Sequence, residues 1–342
     1  SLIHEWDSPP FSVRWRPDWP GGLALTARAI SNAGTIAETF PVDITFTSIV
    51  AGGAAIFTGE DNATGGDWIG TYGQDGYALA WDASSRPPYA NISREDGQLF
   101  VWRASTNDPR ALQRPGSPNR LGAGWYSSDS FDLNFDMTDE KWHQVAIHFM
   151  DWGQGREMSV EFFDQDDVLL DSQSVTEFTG GRYLVWYVRG AVRARFTKIV
   201  ASAVVNGYFF QPVSDFDSWS LEQFQSLPDE AFAVADSDGD GEVNLFEYKF
   251  GTSPSIANAS PFQMRSSAEG VHLSWPEAAF VDDVEISVQG TADLTTWDDV
   301  PPGDFSRMTR EVFAGHDQVE VILPTTLTHR FFRLVARRAA TP

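Results

Sequence analysis

The sequence contains no cysteine, which excludes disulfide bonds and thiolate metal ligands from every domain. Basic residues are scarce as well, since 24 Lys and Arg stand against 48 Asp and Glu and give a net charge of −24. We therefore expect no nucleic acid as a partner, because phosphate binding needs a basic surface. No apolar run approaches the roughly 18 residues of a membrane span, so we also expect no membrane insertion.

Short runs of alternating apolar and polar residues dominate what is present. Examples are Ser159–Phe163 and Val319–Leu323, and such runs are separated by Gly, Pro, Asn and Asp turns. A length of 342 residues with 42% hydrophobic content indicates two or three domains with buried cores. The pattern predicts a mainly β protein of tandem β-sandwiches, jelly-roll or immunoglobulin-like, with one short helix–calcium loop–helix unit.

One stretch between two β regions has helical spacing. We expect a first helix capped by Ser220, a second over Asp229–Ala235 and a third over Leu245–Phe250. Gly251 follows the third helix and is expected to end it, because glycine adopts the left-handed conformation of a helix C-cap.

The segment between the last two of these helices, residues 236–247, reads Asp-Ser-Asp-Gly-Asp-Gly-Glu-Val-Asn-Leu-Phe-Glu. Its spacing matches an EF-hand calcium loop, with a sharp turn at Gly241 and a bidentate carboxylate at the last position. The expected calcium ligands are Asp236, Asp238, Asp240, the Glu242 backbone carbonyl, Asn244 and Glu247. Since EF-hand sensors work in pairs and the sequence offers no second loop, we expect calcium to rigidify a joint between domains.

The chain divides by pattern into four parts. Residues 1–46 hold three expected strands, residues 47–213 about twelve, residues 214–260 the calcium unit and residues 261–342 about seven strands. The first three strands are expected at Phe11–Trp15, Leu23–Ile30 and Pro41–Phe46. Three strands cannot close a sandwich, so we expect further strands before Ser1, or packing of this edge on another domain or subunit.

Three segments resemble parts of known bacterial proteins. The run Pro-Phe-Ser-Val-Arg-Trp, followed by Gly-Gly-Leu-Ala-Leu-Thr-Ala-Arg-Ala, resembles the end of an immunoglobulin-like repeat. Residues 60–212, with Trp-Ile-Gly-Thr-Tyr-Gly-Gln-Asp-Gly-Tyr at 68–77, resemble an uncharacterised β-sandwich module of secreted polysaccharide-associated proteins. The calcium loop and the strands after it resemble the C-terminal arrangement of exported proteins from planctomycete- and verrucomicrobium-like bacteria. The resemblance implies a secreted or cell-surface multidomain protein with an accessory role.

Sugar recognition would need flat aromatic faces beside carboxylates, amides and guanidinium groups. The candidate ligand-binding residues in the central module are Trp68, Tyr72, Asp75, Tyr77, Asp108, Arg110, Trp125, Tyr126, Asp151, Trp152 and Arg156. Trp68 and Trp152 lie beside glycines in loop-like segments, which favours exposed rings. The alternation around Trp102, Trp186 and Phe209 indicates core positions. An Asp108–Arg110 ion pair around Pro109 that only fixes a turn is an open alternative.

No catalytic signature emerges. The sequence has no His-x-x-x-His pair, Gly-x-Ser-x-Gly elbow, P-loop or dinucleotide fingerprint. Polysaccharide lyases can combine His, Tyr and Arg with calcium, yet no spacing ties His148, Tyr126 and Arg156 together. We therefore expect a noncatalytic carbohydrate-binding and spacer region of an exported polysaccharide-active protein, whose partner is a polysaccharide or cell-surface glycan. The alternatives are a structural or adhesive cell-surface protein, and a calcium-dependent lyase or glycoside hydrolase.

Overall fold

The computed structural model of the protein describes residues 21–31, 36–39, 42–46, 52–82, 84–153, 155–224, 230–278, 281–313 and 316–339. Strands dominate this part of the chain and form several separate sheets. The described residues divide into two compact units, one up to residue 213 and one from residue 214 onward. The chain is mainly β and is built as tandem β-sandwiches, which confirms the fold class predicted from alternation.

The first unit contains strands β1 to β19 in its described residues. They are β1 (Gly21–Leu25), β2 (Arg28–Ile30), β3 (Ile36–Glu38), β4 (Val42–Phe46), β5 (Ala54–Asp61), β6 (Gly76–Leu79), β7 (Ser84–Ser85), β8 (Ala90–Glu95), β9 (Gln98–Thr106), β10 (Leu112–Gln113), β11 (Arg120–Ser127), β12 (Ser130–Met137), β13 (His143–Phe149), β14 (Glu157–Phe163), β15 (Leu169–Val175), β16 (Arg182–Arg189), β17 (Ala191–Val200), β18 (Ala203–Val205) and β19 (Gly207–Pro212).

Two large antiparallel sheets form the sandwich of this unit. One has the order β5-β16-β13-β19-β6-β7 and the other the order β15-β14-β17-β12-β8. A smaller sheet places β11 between β10 and β18, and β9 also pairs with β11. The hairpins β1·β4 and β2·β3 form two further two-stranded sheets.

The six-stranded sheet is buried on both faces. In β16, Leu184 and Trp186 contribute to the main core, while Tyr183 and Val185 belong to a second apolar cluster with Phe209. Because successive strand residues point to opposite faces, this alternation places the two clusters on opposite sides of one sheet. The second cluster also includes Trp68 and Leu112, which lie outside this sheet.

The second unit contains three α-helices, one 3-10 helix and seven strands in its described residues. They are α1 (Asp215–Phe224), α2 (Glu230–Ala233), α3 (Asn244–Phe250), β20 (Gln263–Ser266), β21 (Gly270–Ala278), β22 (Val284–Thr291), β23 (Asp298–Asp299), a 3-10 helix (Pro302–Asp304), β24 (Ser306–Phe313), β25 (His316–Pro324) and β26 (Phe331–Arg338). The strand orders are β20-β21-β25-β24 and β23-β22-β26. Trp275, Leu273 and Val321 lie in the core of this unit, together with Phe250 of α3.

Helix α1 begins six residues earlier than expected. Ser214 caps it, since its side-chain oxygen accepts a hydrogen bond of 3.0 Å from the Asp217 N–H. The prediction that Ser220 is the cap is wrong, because Ser220 is buried in the interior of α1. The third helix and its end at Gly251 are confirmed, with Gly251 in the left-handed conformation at φ 75°. The second helix is shorter than expected, and residue 229 lies outside the described residues.

The strand predictions can be compared where residues are described. Ser159–Phe163 and Val319–Leu323 lie in β14 and β25, which confirms both. Leu23–Ile30 forms two strands instead of one, because β1 pairs with β4 while β2 pairs with β3. The expected strand Phe11–Trp15 lies outside the described residues, and so does Pro41. No helix in the part of the chain that the structure describes is long and apolar enough to cross a membrane.

Candidate calcium loop and candidate ligand-binding platform

The loop after α2 folds around the side chain of Asp236. One Asp236 carboxylate oxygen accepts hydrogen bonds from the Gly239 and Asp240 N–H groups at 2.8 and 3.2 Å. The other oxygen accepts from the Gly241 N–H at 2.9 Å. Gly241 has a φ of 99°, a backbone conformation that residues with a Cβ rarely adopt. The sharp turn predicted at Gly241 is therefore confirmed.

Three carboxylates of this loop converge. Asp236, Asp238 and Asp240 each offer an oxygen, and these oxygens all lie within 4.8 Å of one another. Calcium–oxygen distances are about 2.3–2.6 Å, so ligands on opposite sides of one ion lie about 5 Å apart. One oxygen of Asp238 is buried without a hydrogen-bond partner. The spacing and the available oxygen suit a divalent cation.

Glu247 gives the strongest indication that a cation fits this loop. Its side chain lies in α3 with 0% exposure, and neither carboxylate oxygen has a hydrogen-bond partner. Burial raises the pKa of Glu247, and together with the neighbouring charges of Asp238, Asp240 and Asp236, which act in the same direction, it brings the pKa to about 8. A buried carboxylate surrounded by like charges is costly unless a positive charge compensates it.

The two remaining predicted ligands are held by neighbouring segments. One oxygen of the Glu242 carboxylate accepts a hydrogen bond from the Ser260 hydroxyl, and its backbone carbonyl is the ligand expected at loop position 7. Asn244 donates to the Phe232 carbonyl at 2.9 Å, while its own side-chain oxygen is buried without a partner. All candidate donors are hard oxygen atoms, the ligand type that calcium prefers.

The second candidate region, residues 68–77, differs from the expectation. Trp68 is only 3% exposed, so the prediction of an exposed ring there is wrong. Its indole N–H donates to the Gln113 carbonyl at 2.9 Å, and its ring lies 4.7 Å from Tyr77 and 4.9 Å from Phe209. Trp68 therefore belongs to the cluster that covers the outer face of the six-stranded sheet.

Tyr72, Tyr77 and Asp75 also have structural roles here. The Tyr72 ring stacks on Tyr183 at 4.5 Å, and its hydroxyl donates to Asp61 at 3.0 Å. Asp75 accepts a hydrogen bond of 2.7 Å from the Tyr89 hydroxyl. A shallow groove of about 570 Å³ lies above this segment, with Tyr72, Tyr77 and Trp68 among its lining residues. Because Trp68, Tyr72 and Tyr77 pack on one another or on the buried rings of Tyr183 and Phe209, little flat aromatic surface is left for a ligand.

The indole rings of Trp152 and Trp102 lie over two glycines of β11. A Cβ atom on Gly122 would lie 2.9 Å from the Cζ3 atom of Trp152, and one on Gly124 would lie 3.1 Å from Cζ3 of Trp102. Real Cβ atoms essentially never come within 3.0 Å of another heavy atom, so Gly122 provides the space that the Trp152 ring occupies. At Gly124 a Cβ atom would also lie 2.7 Å from Cγ2 of Val204, so this position has no room for a side chain either. The alternating glycines therefore let Trp152 and Trp102 lie close to the strand backbone.

Two further aromatic side chains extend this surface. Phe100 of β9 is 47% exposed, and its ring meets Trp102 edge-on at 5.2 Å and Tyr126 edge-on at 6.1 Å. The Tyr126 hydroxyl donates to the Gln98 side chain at 2.9 Å. We call the set Phe100, Trp102, Tyr126 and Trp152 the aromatic platform. It is a partly exposed aromatic surface carried by a sheet.

Guanidinium groups border the platform. Those of Arg103 and Arg110 lie 5.8 and 5.3 Å from the centre of the Trp152 ring, and that of Arg156 lies 5.6 Å from the Trp102 ring. Two hydrogen bonds of 3.0 and 2.7 Å from Arg110 bind Asp108, which holds the pKa of that carboxyl below its usual value. Asp108 and Arg110 therefore form an ion pair that fixes the turn around Pro109, as the alternative interpretation predicted. The Arg110 guanidinium nevertheless also contacts Trp152.

Asp151 and Arg156 fix the loop that carries Trp152. Asp151 is 1% exposed and accepts hydrogen bonds from the Gly153 N–H at 3.0 Å and the Arg156 N–H at 2.8 Å, and from the Arg156 guanidinium. Burial alone would raise the pKa of Asp151, but these hydrogen bonds together hold it below its usual value. Asp151 therefore positions Trp152 and Arg156 and cannot itself contact a ligand.

The structure thus divides the eleven candidate ligand residues. Tyr126, Trp152, Arg110 and Arg156 reach the platform, with Asp108 and Asp151 beneath them. Trp125 points to the opposite face of β11 and is buried in the main core. The sequence analysis did not identify Phe100 and Arg103. It assigned Trp102 to the core, whereas the structure shows this residue only partly buried. The alternation Gly122-x-Gly124 was the available signal.

Trp186 and Phe209 were also predicted as core residues. Both are fully buried, which confirms that prediction.

The three residues that a lyase can combine lie in separate surroundings. His148 has 0% exposure, and burial lowers its pKa to about 3. The Tyr126 hydroxyl is bound to Gln98, and the Arg156 guanidinium is bound to Asp151 and Ser202. The structure therefore does not bring His148, Tyr126 and Arg156 together as a catalytic group.

No protein-family model matches this chain, and no curated protein matches it. Several solved structures are similar to this chain, with low sequence identity and low TM-scores. A β-glucuronidase from Bacteroides uniformis has 12% sequence identity and a TM-score of 0.27, over 58% of this chain and 23% of that chain. The chain thus spans less than a quarter of that enzyme.

Two further structures are smaller than that enzyme. A carbohydrate-binding module of the β-sandwich superfamily has 12% identity and a TM-score of 0.19, over 58% of this chain and 77% of that chain. The ANX1 ectodomain from Arabidopsis thaliana has 13% identity and a TM-score of 0.26, over 83% of this chain and 94% of that chain. The architecture of the chain follows from its strand pairing.

Proposed function

We propose that this chain is a noncatalytic carbohydrate-binding and spacer region of an exported polysaccharide-active protein. In this proposal the aromatic platform binds sugar rings of a polysaccharide or cell-surface glycan. The observation that carries it is the placement of Trp152 and Trp102 over Gly122 and Gly124, which holds two indoles at the surface of a sheet.

The platform has both components of a sugar-binding surface. Pyranose rings present faces of C–H groups that pack on aromatic rings, and their hydroxyls need polar partners at the edge. Phe100, Trp102, Tyr126 and Trp152 supply the rings. Arg103 and Arg110 supply donors, and Arg103 makes its hydrogen bond to the Trp102 carbonyl and not to a carboxylate. Since the rings are carried by β9, β11 and a loop tied down by Asp151, little ordering is required on binding.

Calcium has a separate, structural role in the proposal. Helix α3 carries Glu247 and also Tyr248 and Lys249, whose side chains bind Asp283 at 2.9 Å and the Val281 carbonyl at 2.7 Å. A cation held by the loop and by Glu247 would therefore connect the loop to the strands of the second unit. Calcium would supply the positive charge that the buried Glu247 carboxylate lacks, and would rigidify the segment over residues 214–260.

The binding claim is tested by incubating the purified chain, with calcium, with a broad panel of algal and plant polysaccharides. The same wells are scored for bound protein and for released sugar ends. Binding without release is the expected result. Release of sugar ends would contradict a noncatalytic role. If neither binding nor release is detected, the result would favour a structural or adhesive cell-surface protein.

The calcium claim is tested by thermal melting and limited proteolysis with calcium or with a chelator. Calcium at 100 times its dissociation constant should add about 2.7 kcal/mol to the stability of the unit that binds it. Asp236→Ala and Glu247→Gln should remove this response. Glu269→Gln, which makes the same charge change at an exposed turn, should keep it. If chelation changes neither melting nor cleavage near residues 214–260, the structural role is wrong.

A further inference from the structure

A pocket of about 300 Å³ opens between the edges of the two large sheets in the first unit. On one side lie Trp81 and Arg86, near β6 and the edge strand β7. On the other side lies Arg94 of the edge strand β8. Two aromatic rings, Trp125 and Tyr208, stack at 5.6 Å and belong to both the pocket lining and the main core. The opening therefore leads from solvent to an aromatic floor.

Arg94 is held in place within this pocket. Its guanidinium carbon lies 5.4 Å from the centre of the Trp125 ring. Its stem runs so close to Gly97 that a Cβ atom there would lie 2.8 Å from the Arg94 Cδ atom. The charged group is thus positioned before any ligand arrives, which lowers the entropy cost of binding.

Arg86 and Arg94 have no carboxylate partner within the described residues. Other arginines of this unit are paired: Arg114 binds Asp82 at 2.6 Å, and Arg110 binds Asp108 at 2.7 Å. The charges of Arg86 and Arg94 both act on the buried Tyr208 hydroxyl, where they oppose the rise in pKa that burial causes. The Asp82 carboxylate also lines the pocket, but it is bound to Arg114. In a chain with a net charge of −24, two guanidiniums that line one pocket without an acidic partner form a local site for an anion.

Trp81 lies at the mouth of the pocket in a strained conformation. Its φ is 65°, in the left-handed region that a bulky side chain rarely occupies, and its side chain is 50% exposed. The chain therefore keeps a large aromatic ring in solvent at a position where glycine or asparagine would be less strained. Such strain at a cleft is typical of binding sites. Ser84 and Ser93 add hydroxyl groups to the lining.

We propose that this pocket binds a uronic acid, a pyranose sugar that carries a carboxylate. The carboxylate lies between Arg86 and Arg94, and the sugar ring packs against Trp81 and the Trp125 side of the pocket. The pocket volume is at the lower end of ligand sites and suits a single sugar unit.

This site is distinct from the aromatic platform. Leu99 and Trp125, which line the pocket, pair across β9 and β11 and share one face of that sheet. Phe100 pairs with Gly124, and Tyr126 with Gln98, on the opposite face. The inference therefore goes beyond the proposed function and does not depend on it.

The first test measures binding of tetragalacturonate by calorimetry and compares it with its methyl ester, which has the same rings without the charge. The acid should bind about tenfold or more tightly than the ester, the difference expected from one charge-assisted hydrogen bond. Arg86→Gln and Arg94→Gln should each weaken binding of the acid by about the same factor. Arg310→Gln, an equal charge change at an exposed position of β24, should leave it unchanged.

A second variant separates binding from folding. Trp81→Asn removes the ring but suits the left-handed backbone, so the melting temperature should stay near that of the wild type. Binding of tetragalacturonate should nevertheless fall about fivefold or more, because the ring face is lost.

Three results would overturn the proposal. They are equal binding of acid and ester, an equal loss in Arg310→Gln, and no binding of the acid at millimolar concentration. Trp152→Ala distinguishes the two sites, since it should not change binding of tetragalacturonate. If Trp152→Ala abolishes this binding and the Arg86 and Arg94 variants do not, the pocket is refuted while the platform stands.

Discussion

Acid should destabilise the first unit through one residue, His148. This side chain in β13 has 0% exposure, and neither ring nitrogen has a hydrogen-bond partner. Its ring lies 4.7 Å from that of Tyr183, and the charge of Asp61 acts on it. Burial lowers the pKa of His148 to about 3 even though the Asp61 charge acts in the opposite direction. His148 is therefore neutral in the folded protein at ordinary pH.

The sign and size of the effect follow from linkage. The pKa in the folded state lies below the reference value of 6.5, so the unfolded chain binds one more proton between pH 6.5 and about 3. The contribution of the neutral His148 side chain to the free energy of unfolding is fully present above pH 6.5. It is lost as the pH falls from 6.5 towards 3. Each pH unit within this window removes about 1.4 kcal/mol, so roughly 2 kcal/mol is lost at pH 5.

The matched variant is His148→Leu, which has a similar volume and cannot be protonated. Thermal and urea unfolding of the wild type and the variant are compared at several values from pH 7 to pH 5. Because all other titrating groups are common to both proteins, the difference in stability isolates His148. We expect the difference to shift in favour of the variant by about 2 kcal/mol over this range. Parallel pH profiles for the two proteins would refute the reasoning.

Three further predictions concern the platform, the calcium loop and helix α1. Gly122→Ala should displace the Trp152 ring and weaken glycan binding, as measured by affinity electrophoresis, whereas Gly180→Ala, with no atom within 4 Å of its new Cβ, should not. Gly241→Ala should cost about 1 kcal/mol at a φ of 99° and lower calcium affinity in calorimetry; unchanged affinity would contradict the loop geometry. Ser214→Ala should lower the stability of the second unit by about 1 kcal/mol in urea unfolding, and no change would mean that the cap is unimportant.

The calcium loop was predictable because it is local. Its turn at Gly241 and the spacing of its acids are fixed within twelve consecutive residues. The same holds for the end of α3 at Gly251. The start of α1 was misplaced because Ser214 and Ser220 are both capping residue types, and only the burial of Ser220 distinguishes them.

The ligand-binding surface was less predictable because its contacts are distant in sequence. Trp68 is covered through its hydrogen bond to Gln113, 45 residues away, which neighbouring glycines do not reveal. Arg114 pairs with Asp82 across 32 residues, so the arginines that remain without partners cannot be identified from sequence. The pairing of β9 with β11 likewise decides that Trp102 reaches the surface.

The central claim is that the aromatic platform binds glycan. The most direct test is the dissociation constant of the tightest polysaccharide from the panel for the wild type, Trp152→Ala and Trp297→Ala. Trp297 is a matched control, since it is also partly buried with a guanidinium, that of Arg333, 4.3 Å from its ring. The account predicts a loss of about tenfold or more for Trp152→Ala and none for Trp297→Ala. An unchanged affinity in Trp152→Ala, or an equal loss in both variants, would contradict it.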